Sequence, residues 1–399
     1  MVFNLKRNSK PDNVERVGFK CVGCGACETI CPQSCVSVAE VGRRGLRPII
    51  KSSLCLQCGK CLVVCPLEDI SCPESLNQVL AVFRGYSRDS KIYKNSSSGG
   101  VVSSVLYDLF FKDEIDGALV TFFDENLNLF GNFISSKDEV IDHSGSFYHS
   151  CKQLLRFKDI ERFRSVAVVG LPCHIIAARR LVNILGYQKS VRLFISLFCS
   201  IGRMKKGIEE FLFFCKGVDL GEISVSRYKS RYGDQRLGII LMSTDKGDIS
   251  FECNEYLSFG DYFYVPEGCY YCRRLYGLCA DISVGDDWAI TTANKVALVC
   301  ANSSLGLQVL KENKFLELQE VGEKERIAVL VRSQPLGYPR KMGKQGGVNF
   351  ILRIVKFVGR LNKSRNIFLR KVALKTRALV CMYLLSRFRR EVDKLFLKL

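Results

Sequence analysis

The chain has 399 residues, of which 47% are hydrophobic and 25% are charged. This composition excludes a disordered or fibrous protein, and the length allows two or three folded domains. The formal net charge is +19, but seventeen basic and only two acidic residues lie between Arg340 and Leu399, so the charge belongs to one end of the chain. It therefore does not indicate that the rest of the protein binds nucleic acid.

The cysteine content and the first residues bear on location. The chain has 20 cysteines, and its first residues lack the apolar core and cleavage site of an export signal. Cysteines arranged for metal in such a chain predict a reducing, cytoplasmic compartment. No apolar run approaches the roughly 18 residues typical of a transmembrane helix.

Residues 18–72 contain two cysteine runs of the same spacing. Each reads Cys-x-x-Cys-x-x-Cys-x-x-x-Cys-Pro, the pattern of bacterial ferredoxins in which the fourth cysteine binds the other cluster. The pattern predicts two [4Fe–4S] ligand sets: Cys21, Cys24, Cys27 and Cys65 for the first, and Cys55, Cys58, Cys61 and Cys31 for the second. A pair of zinc sites is the alternative, but zinc does not need a third cysteine in each run.

The segment between the runs predicts a small hairpin. Two short strands, at 35–39 and 46–50, are joined by a Gly-Arg-Arg-Gly turn. Cys35 and Cys72 lie outside the ligand spacing, and we expect both to be structural.

A second domain opens with a predicted strand at 79–86, and its N-terminal part extends to about residue 155. A Ser/Gly loop, residues 94–100, leads into a helix predicted over 101–111, and a strand follows at 117–123. A glycine-bearing loop at a helix N-terminus exposes backbone N–H groups that suit a phosphate. An ordinary serine-capped helix is the alternative interpretation.

Residues 160–335 form the predicted C-terminal part of this domain, and they begin with two strand–helix units. Such units predict a parallel strand pair with a right-handed crossover, whose ligands gather beyond the carboxyl ends of the strands. The predicted segments are a strand at 165–170, a turn at 171–174, a helix at 175–185, a strand at 191–198 and a helix at 203–214. Cys173 and Cys199 each come just after one of these strands.

These two cysteines and a later Cys-x-x-Cys pair suggest a further metal site. One interpretation is a third [4Fe–4S] cluster bound by Cys173, Cys199, Cys269 and Cys272, with Cys279 as a rival ligand. Buried structural cysteines and a zinc site are the alternatives. The remaining cysteines have no partner at ligand spacing: Cys151, Cys215, Cys253, Cys300 and Cys381.

The histidines and the C-terminal segment carry weaker signals. His143, His149 and His174 show no metal spacing, and His174, next to Cys173, is expected to be a hydrogen-bonded polar residue. Residues 337–344 are predicted to be a basic linker, and 340–399 a basic helical tail. Three alternatives remain for this tail: packing on the body, lying on an anionic membrane, or docking an acidic partner. No nucleic-acid motif accompanies it.

Taken in order, these motifs resemble the beta subunit of coenzyme F-420 hydrogenase/dehydrogenase, in the version with an N-terminal two-cluster ferredoxin domain. The matching stretches are 97–100 (Ser-Ser-Gly-Gly), 169–174 (Val-Gly-Leu-Pro-Cys-His), 198–202 (Phe-Cys-Ser-Ile-Gly), 269–272 (Cys-Tyr-Tyr-Cys) and 280–286 (Ala-Asp-Ile-Ser-Val-Gly-Asp). His174 stands where the family usually has Gln, and the basic tail is not part of the shared pattern.

The resemblance implies a flavoprotein that holds FAD and a [4Fe–4S] cluster in its body. It suggests flavin contacts from Ser97, Ser98, Gly99, Gly100, Gly170, Leu171 and Pro172. It also implies that electrons pass between the flavin and a two-electron substrate. That substrate would be the deazaflavin F-420 or an intermediate of polysaccharide or cell-envelope biosynthesis.

We therefore expect a ferredoxin-like domain, then a mixed α/β flavin-binding body with parallel strand–helix units, then the basic helical tail. The expected function is an iron–sulfur flavoprotein oxidoreductase with an electron-donor or acceptor protein as partner and a small-molecule substrate. The rival is a non-catalytic electron-transfer adaptor for a partner enzyme, and a third class is a membrane-docked assembly component with structural clusters. No catalytic acid or base is assigned.

Overall fold

The computed structural model describes residues 12–72, 74–234, 236–260, 264–290, 292 and 294–342. The predicted tail lies outside these residues except for its first three positions. Within the part described, no helix is both long enough and apolar enough to cross a membrane.

Strands and helices alternate along most of the described chain. The strands are β1 (Val36–Glu40), β2 (Leu46–Ile50), β3 (Ala81–Ser87), β4 (Gly117–Phe123), β5 (Leu129–Ile134), β6 (Cys151–Lys152), β7 (Val166–Gly170), β8 (Val191–Leu197), β9 (Val225–Tyr232), β10 (Ile239–Thr244), β11 (Gly247–Glu252), β12 (Ile282–Asp286), β13 (Ala297–Ala301) and β14 (Leu316–Glu320). The α-helices are α1 (Ala26–Ile30), α2 (Lys60–Val63), α3 (Leu67–Ser71), α4 (Ser90–Asn95), α5 (Val101–Phe111), α6 (Lys137–Asp142), α7 (Pro172–Leu185), α8 (Lys205–Phe211), α9 (Cys253–Gly260), α10 (Glu267–Tyr271), α11 (Ser304–Lys311), α12 (Arg326–Ser333) and α13 (Gly337–Met342).

One mixed sheet forms the centre of the body. Among the described residues it has nine strands in the order β14-β3-β13-β12-β8-β7-β4-β5-β6. The middle strands β12, β8, β7 and β4 run parallel, whereas β14, β3 and β13 form an antiparallel edge. The predicted parallel pair β7–β8, with helix α7 between its strands, is confirmed, and so is the mixed α/β class.

Three predicted boundaries were wrong. Helix α7 begins at Pro172, so residues 172–174 form its first turn and not a loop; proline suits this position because its missing N–H has no helical partner there. The helix predicted at 203–214 is a shorter α8 followed by a π-helical turn, Leu212–Lys216. The predicted linker at 337–344 is helical over its first six residues, as α13.

The N-terminal ferredoxin-like module consists of α1, α2, α3 and the predicted hairpin, whose strands β1 and β2 pair antiparallel. Its apolar residues share one hydrophobic core with β7 and α7 of the body. The side chain of Arg180, on α7, donates to the carbonyl oxygens of Val63 and Cys65 and to Asp69 Oδ2, at 2.8 Å for the last. The module is therefore fixed to the body next to a predicted cluster ligand.

A buried carboxylate shapes the loop that follows Cys272. Glu74 accepts hydrogen bonds from the backbone N–H groups of Leu275, Tyr276 and Leu278, at 2.8, 2.7 and 2.8 Å. A buried charge is stable only when it is paired or hydrogen-bonded, and these three donors satisfy it. The loop after the cysteine pair is thereby held in one conformation.

His149 fixes the segment that lies over the edge of the sheet. Its Nε2 is 2.9 Å from the carbonyl oxygen of Leu127, so Nε2 carries the proton and donates it. Burial lowers the pKa of His149 to about 4. The native protein therefore keeps this ring neutral at ordinary pH.

Replacing Arg180 with Met should loosen the ferredoxin-like module. Its charge-assisted hydrogen bonds to two carbonyls and a carboxylate would be lost, so we expect the melting temperature to fall by roughly 2–6 °C. Arg164→Met is the matched control, because the Arg164 side chain is 79% exposed and pairs with Asp116 at the surface. Calorimetry of both variants measures the effect, and equal melting temperatures would contradict it.

Stability should depend on pH through His149. In the unfolded chain His149 has an ordinary histidine pKa near 6.5, whereas in the native protein its pKa is about 4. The free energy of unfolding should therefore fall as pH drops from about 6.5 to about 5, with this residue contributing about 1.5 kcal/mol. His149→Gln keeps a donor for Leu127 and does not titrate. Parallel pH profiles for the two proteins would contradict the assignment.

Candidate functional site

The four cysteines predicted for the first cluster line one cavity. Its walls are Cys21, Cys24, Cys27, Cys65 and mainly apolar side chains. Three of the cysteines come from the loop around α1, and Cys65 follows α2 of the second run. The crossed ligand pattern that the spacing predicts is therefore matched by the placement of these residues. We call this cavity the first cysteine site.

The electrostatics of this site suit bound metal. Burial, followed by the nearby Cys65, raises the pKa of the Cys24 thiol, and burial raises the pKa of Cys65 to about 11. Four sulfurs in a dry cavity repel one another once deprotonated, and iron cations remove that cost because thiolates are their preferred ligands. The residues present therefore fit an iron–sulfur cluster.

The second predicted set lies closer to the surface. Cys58 is exposed, whereas Cys61 is buried, and burial raises the pKa of its thiol. The Sγ atoms of Cys31 and Cys35 are 3.4 Å apart, and Cys35 also interacts with Cys55. Cys35, which we expected to be structural, thus touches the second ligand set.

The four cysteines proposed for the third cluster come from separate elements that converge. Cys173 lies in the first turn of α7, Cys199 follows β8, Cys269 is on α10, and Cys272 ends α10. Burial, then the charges of Cys272 and Cys199, raise the pKa of Cys173. Burial and the same neighbours raise the pKa of Cys269 to about 12. The structure therefore brings the set together, and we call it the third cysteine site.

Cys279, the rival ligand, lies on one side of this site. Its Sγ is 3.9 Å from the carbonyl oxygen of Pro172, and it packs in the same small apolar cluster as Cys173 and Cys272. Burial and then Glu74 raise the pKa of Cys279 to about 12. Cys279 therefore remains close enough to the third site to be a rival ligand.

The first and third cysteine sites adjoin each other. Cys24 of the first site contributes to the raised pKa of Cys173 in the third, after burial and the charges of Cys272 and Cys199. Gly268, just before Cys269, packs so closely on the N-terminal module that a side chain there would overlap the carbonyl oxygens of Lys20 and Cys21. The two sites are therefore neighbours across the contact between module and body.

Two neighbouring cavities lie at the carboxyl ends of the parallel strands. The first, about 120 Å³, lies between residues 96–102 and 143–147, and we call it the serine cavity. The second, about 550 Å³, reaches Cys199 and Arg231, and we call it the main cavity. The two share the following lining residues: Ser98, Ser146, Phe147, Leu197, Val284 and Gly285. The two cavities are therefore neighbours, between the Ser/Gly loop and Cys199 of the third cysteine site.

The residues suggested to contact a flavin divide into two groups. Those that line the cavities are Ser97, Ser98, Gly100 and Leu171. Those outside the linings are Gly99, Gly170 and Pro172. Gly99 is in a left-handed turn, with φ of 77°, and its carbonyl accepts from Ser87 N at 2.6 Å; Gly170 ends β7, and Pro172 starts α7.

The N-terminus of α5 opens into the serine cavity without a side-chain cap. The N-cap residue is Gly100, in a left-handed conformation, so the serine-capped alternative is not what the structure has. Ser97 Oγ instead donates to Ser230 O at 3.0 Å, and Ser98 Oγ donates to Asp286 Oδ1 at 2.7 Å. The first N–H groups of α5 can therefore receive an anion, which a dinucleotide phosphate would supply.

Two buried lysines hold the walls of the serine cavity. The Nζ atom of Lys295 donates to three carbonyl oxygens at the start of the Ser/Gly loop, including Ser96 O at 2.6 Å. The Nζ atom of Lys229 donates to three carbonyls on the opposite wall, including Ser144 O at 3.0 Å. Each lysine thus fixes the backbone of one cavity wall through hydrogen bonds to three carbonyl oxygens.

Sequence reasoning missed several residues of the site. Arg231 forms an ion pair with Asp286, at 2.7 Å, and its guanidinium is 5.6 Å from the ring centre of Trp288. Its φ of 54° is unusual for a residue with a side chain, and no sequence pattern marks it. Lys341, in the segment predicted as a linker, is only 3% exposed and lies beside the third cysteine site.

Three family models match parts of this chain. Two family models, described as the N-term and the C terminus of the beta subunit of coenzyme F420 hydrogenase/dehydrogenase, match residues 82–156 and 163–324. Together they cover more than half of the chain. A third, described as a 4Fe-4S dicluster domain, matches residues 20–68.

Individual relatives are more distant. An uncharacterized protein from Methanocaldococcus jannaschii is 26% identical over 305 residues, which cover 67% of this chain and 80% of that protein. A subunit of the F(420)H(2) dehydrogenase from Methanosarcina mazei is 30% identical over 186 residues, which are 45% of this chain and 53% of that relative.

A solved structure shares the fold. One chain of the F420-reducing [NiFe] hydrogenase complex from Methanosarcina barkeri superposes with a TM-score of 0.51 at 18% identity, covering 71% of this chain and 93% of that one. With the two family models and the dicluster match, the conclusion is that this chain belongs to the family of coenzyme F420 hydrogenase/dehydrogenase beta subunits, as an iron–sulfur electron-transfer member.

Proposed function

We propose that this protein is an iron–sulfur flavoprotein oxidoreductase. In this proposal the two ferredoxin-type cysteine sets and the third cysteine site each hold a [4Fe–4S] cluster, and the two cavities hold FAD. Electrons pass between the clusters and a small-molecule substrate in the main cavity. The bound flavin would supply the change from one-electron to two-electron chemistry.

The observation that carries the proposal is that the first cysteine site, the third cysteine site and the main cavity are neighbours in that order. Cys24 of the first site interacts with Cys173 of the third, and Cys199 of the third site lines the main cavity. Electron transfer requires its carriers to be close to one another, and these contacts make the first site a neighbour of the third and the third a neighbour of the main cavity. Apolar walls around the first site exclude water, and bound iron would keep the ligand sulfurs deprotonated there.

The serine cavity supports the FAD assignment. Ser97, Ser98 and Gly100 would hold a phosphate group together with the uncapped N-terminus of α5, which favours negative charge. Leu171 and Cys199 both line the main cavity, so Leu171 would contact a flavin ring held next to the third site. Gly99, Gly170 and Pro172 would act by shaping the two loops without touching the cofactor.

The main cavity supports an anionic or polar aromatic substrate. Arg231 lines it, and Arg236 lies 4.5 Å from the ring centre of Trp288, which also lines it. The names of the related dehydrogenase and hydrogenase complex favour coenzyme F420 as that substrate. An intermediate of polysaccharide or cell-envelope biosynthesis is the alternative.

The surface of the second site supports a protein partner. Cys58 is exposed there, and Leu54, Leu56 and Val63 expose about half or more of their surfaces nearby. Contiguous exposed apolar residues often mark protein contacts. One relative is named as a subunit of a dehydrogenase, and the similar solved structure is one chain of a hydrogenase complex. These names favour a partner oxidoreductase subunit for this chain. If the isolated chain reduces no acceptor but does so with a partner, the adaptor hypothesis replaces the enzyme.

The cofactor content tests the proposal directly. Protein purified under argon should contain about twelve irons, about twelve acid-labile sulfides and about one FAD per chain. Cys269→Ser should lower iron to about eight and leave the ferredoxin-type clusters intact, whereas Cys215→Ser, an exposed cysteine on the π-helical turn, should change nothing. About eight irons without flavin in the unchanged protein would refute the oxidoreductase and leave the adaptor.

Lys295→Met tests the placement of FAD. The variant loses the three hydrogen bonds from Lys295 that fix the start of the Ser/Gly loop. Because this loop would hold the FAD phosphate, we expect FAD affinity to fall by roughly tenfold or more. Iron content should stay the same. Equilibrium dialysis with FAD measures the change, and Lys246→Met, whose side chain is 58% exposed, is the matched control. Unaltered FAD affinity would move the cofactor away from the serine cavity.

A further inference from the structure

The segment from Gln334 to α13 covers the third cysteine site and one end of the main cavity. Gln334 Nε2 donates to the carbonyl oxygen of Asp286 at 2.7 Å. Pro335, Leu336 and Gly337 line the main cavity. The C-terminal family model ends at residue 324, so this cover belongs to a part of the chain that the model does not match.

Lys341 is the residue of this segment that reaches the sulfurs. It is 3% exposed, and its side chain lies near Cys199, Cys269 and Cys272. Its carbonyl oxygen accepts from Arg273 Nε at 3.3 Å, which ties α13 to the loop after Cys272. Both the backbone and the side chain of Lys341 are thus fixed at this site.

The partners of the buried ammonium are the ligand sulfurs. Lys341 is buried, and the groups nearest its ammonium include Cys272, Cys199 and Cys269. A buried cation is strongly unfavourable unless an anion pairs with it. Deprotonated sulfurs, free or bound to iron, provide that anion, so the cation and the ligand set stabilise each other.

The first cysteine site offers a comparison. Arg47 is 6% exposed, and its guanidinium donates to the carbonyl oxygens of Gly18 and Cys21. This cation belongs to the ferredoxin-like module itself, on β2. At the third site the corresponding charge comes from a distant segment that follows α12.

We propose that Lys341 is a positioning residue that raises the reduction potential of the third cluster. Reduction adds one electron and therefore one negative charge to the cluster, and a cation held in a poorly screened site favours the reduced form. No bond forms or breaks, and no proton is required. The inference rests on the third cluster of the proposed function. It adds that a residue outside the matched family regions sets where electrons collect before they reach the main cavity.

The test is a redox titration of the full-length protein with its clusters, followed by electron paramagnetic resonance. The third cluster is identified as the signal that is lost in Cys269→Ser. At the midpoint of the unchanged protein, Lys341→Met should lower the ratio of reduced to oxidised third cluster about tenfold, equivalent to about 59 mV for one electron. Lys341→Arg should restore the midpoint, and the two ferredoxin-type signals should not move in either variant.

Lys311→Met is the matched control, since it removes one exposed lysine at the end of α11. An unchanged third midpoint in Lys341→Met, with about twelve irons retained, would overturn the inference and leave the proposed function intact. If Lys341→Met and Lys341→Gln both lose about four irons while Lys341→Arg keeps them, the residue holds the cluster, and the claim about its potential is overturned. About eight irons in the unchanged protein would overturn the third cluster and the inference together.

Discussion

The close packing of α10 and α7 against the ferredoxin-like module is the constraint on which the proposed electron route depends. Gly268 lets α10 approach the carbonyl oxygens of Lys20 and Cys21, where a side chain would overlap them. Arg180 ties α7 to the backbone beside Cys65. These contacts make Cys24 and Cys173 neighbours, and the proposed electron route depends on that proximity.

Much of this arrangement could be predicted from short-range patterns. The spacing of the two cysteine runs predicts the crossed ligand sets, because this spacing is typical of ferredoxins with two clusters. The apolar runs of β7 and β8 predict the parallel pair, and with it the sheet edge at which Cys173 and Cys199 lie and Cys199 lines the main cavity. The start of α7 was misjudged since Leu171-Pro-Cys-His is also typical of a turn, although proline is at home in a first helical turn.

The rest depends on contacts between residues far apart in the chain. Arg231 meets Ser98 and Asp286 through the folding of β9 onto the edge of the main sheet, and nothing near it in sequence announces this. Lys295 and Lys229 resemble ordinary surface lysines until the structure surrounds each with three carbonyl groups. Lys341 was hidden by its basic neighbours, since local charge density predicts solvent exposure and not burial.

The difference in burial between the cysteine sites has a practical consequence. Cys58 of the second set is exposed, whereas Cys24 and Cys27 of the first are enclosed by apolar walls. Dissolved oxygen attacks cluster sulfurs and iron where it can reach them, so damage in air begins at the second set and moves inward. Samples exposed to air would then lose the outer cluster first, while the colour of the inner cluster persisted. Visible absorbance alone would overstate how much of the protein keeps all of its clusters.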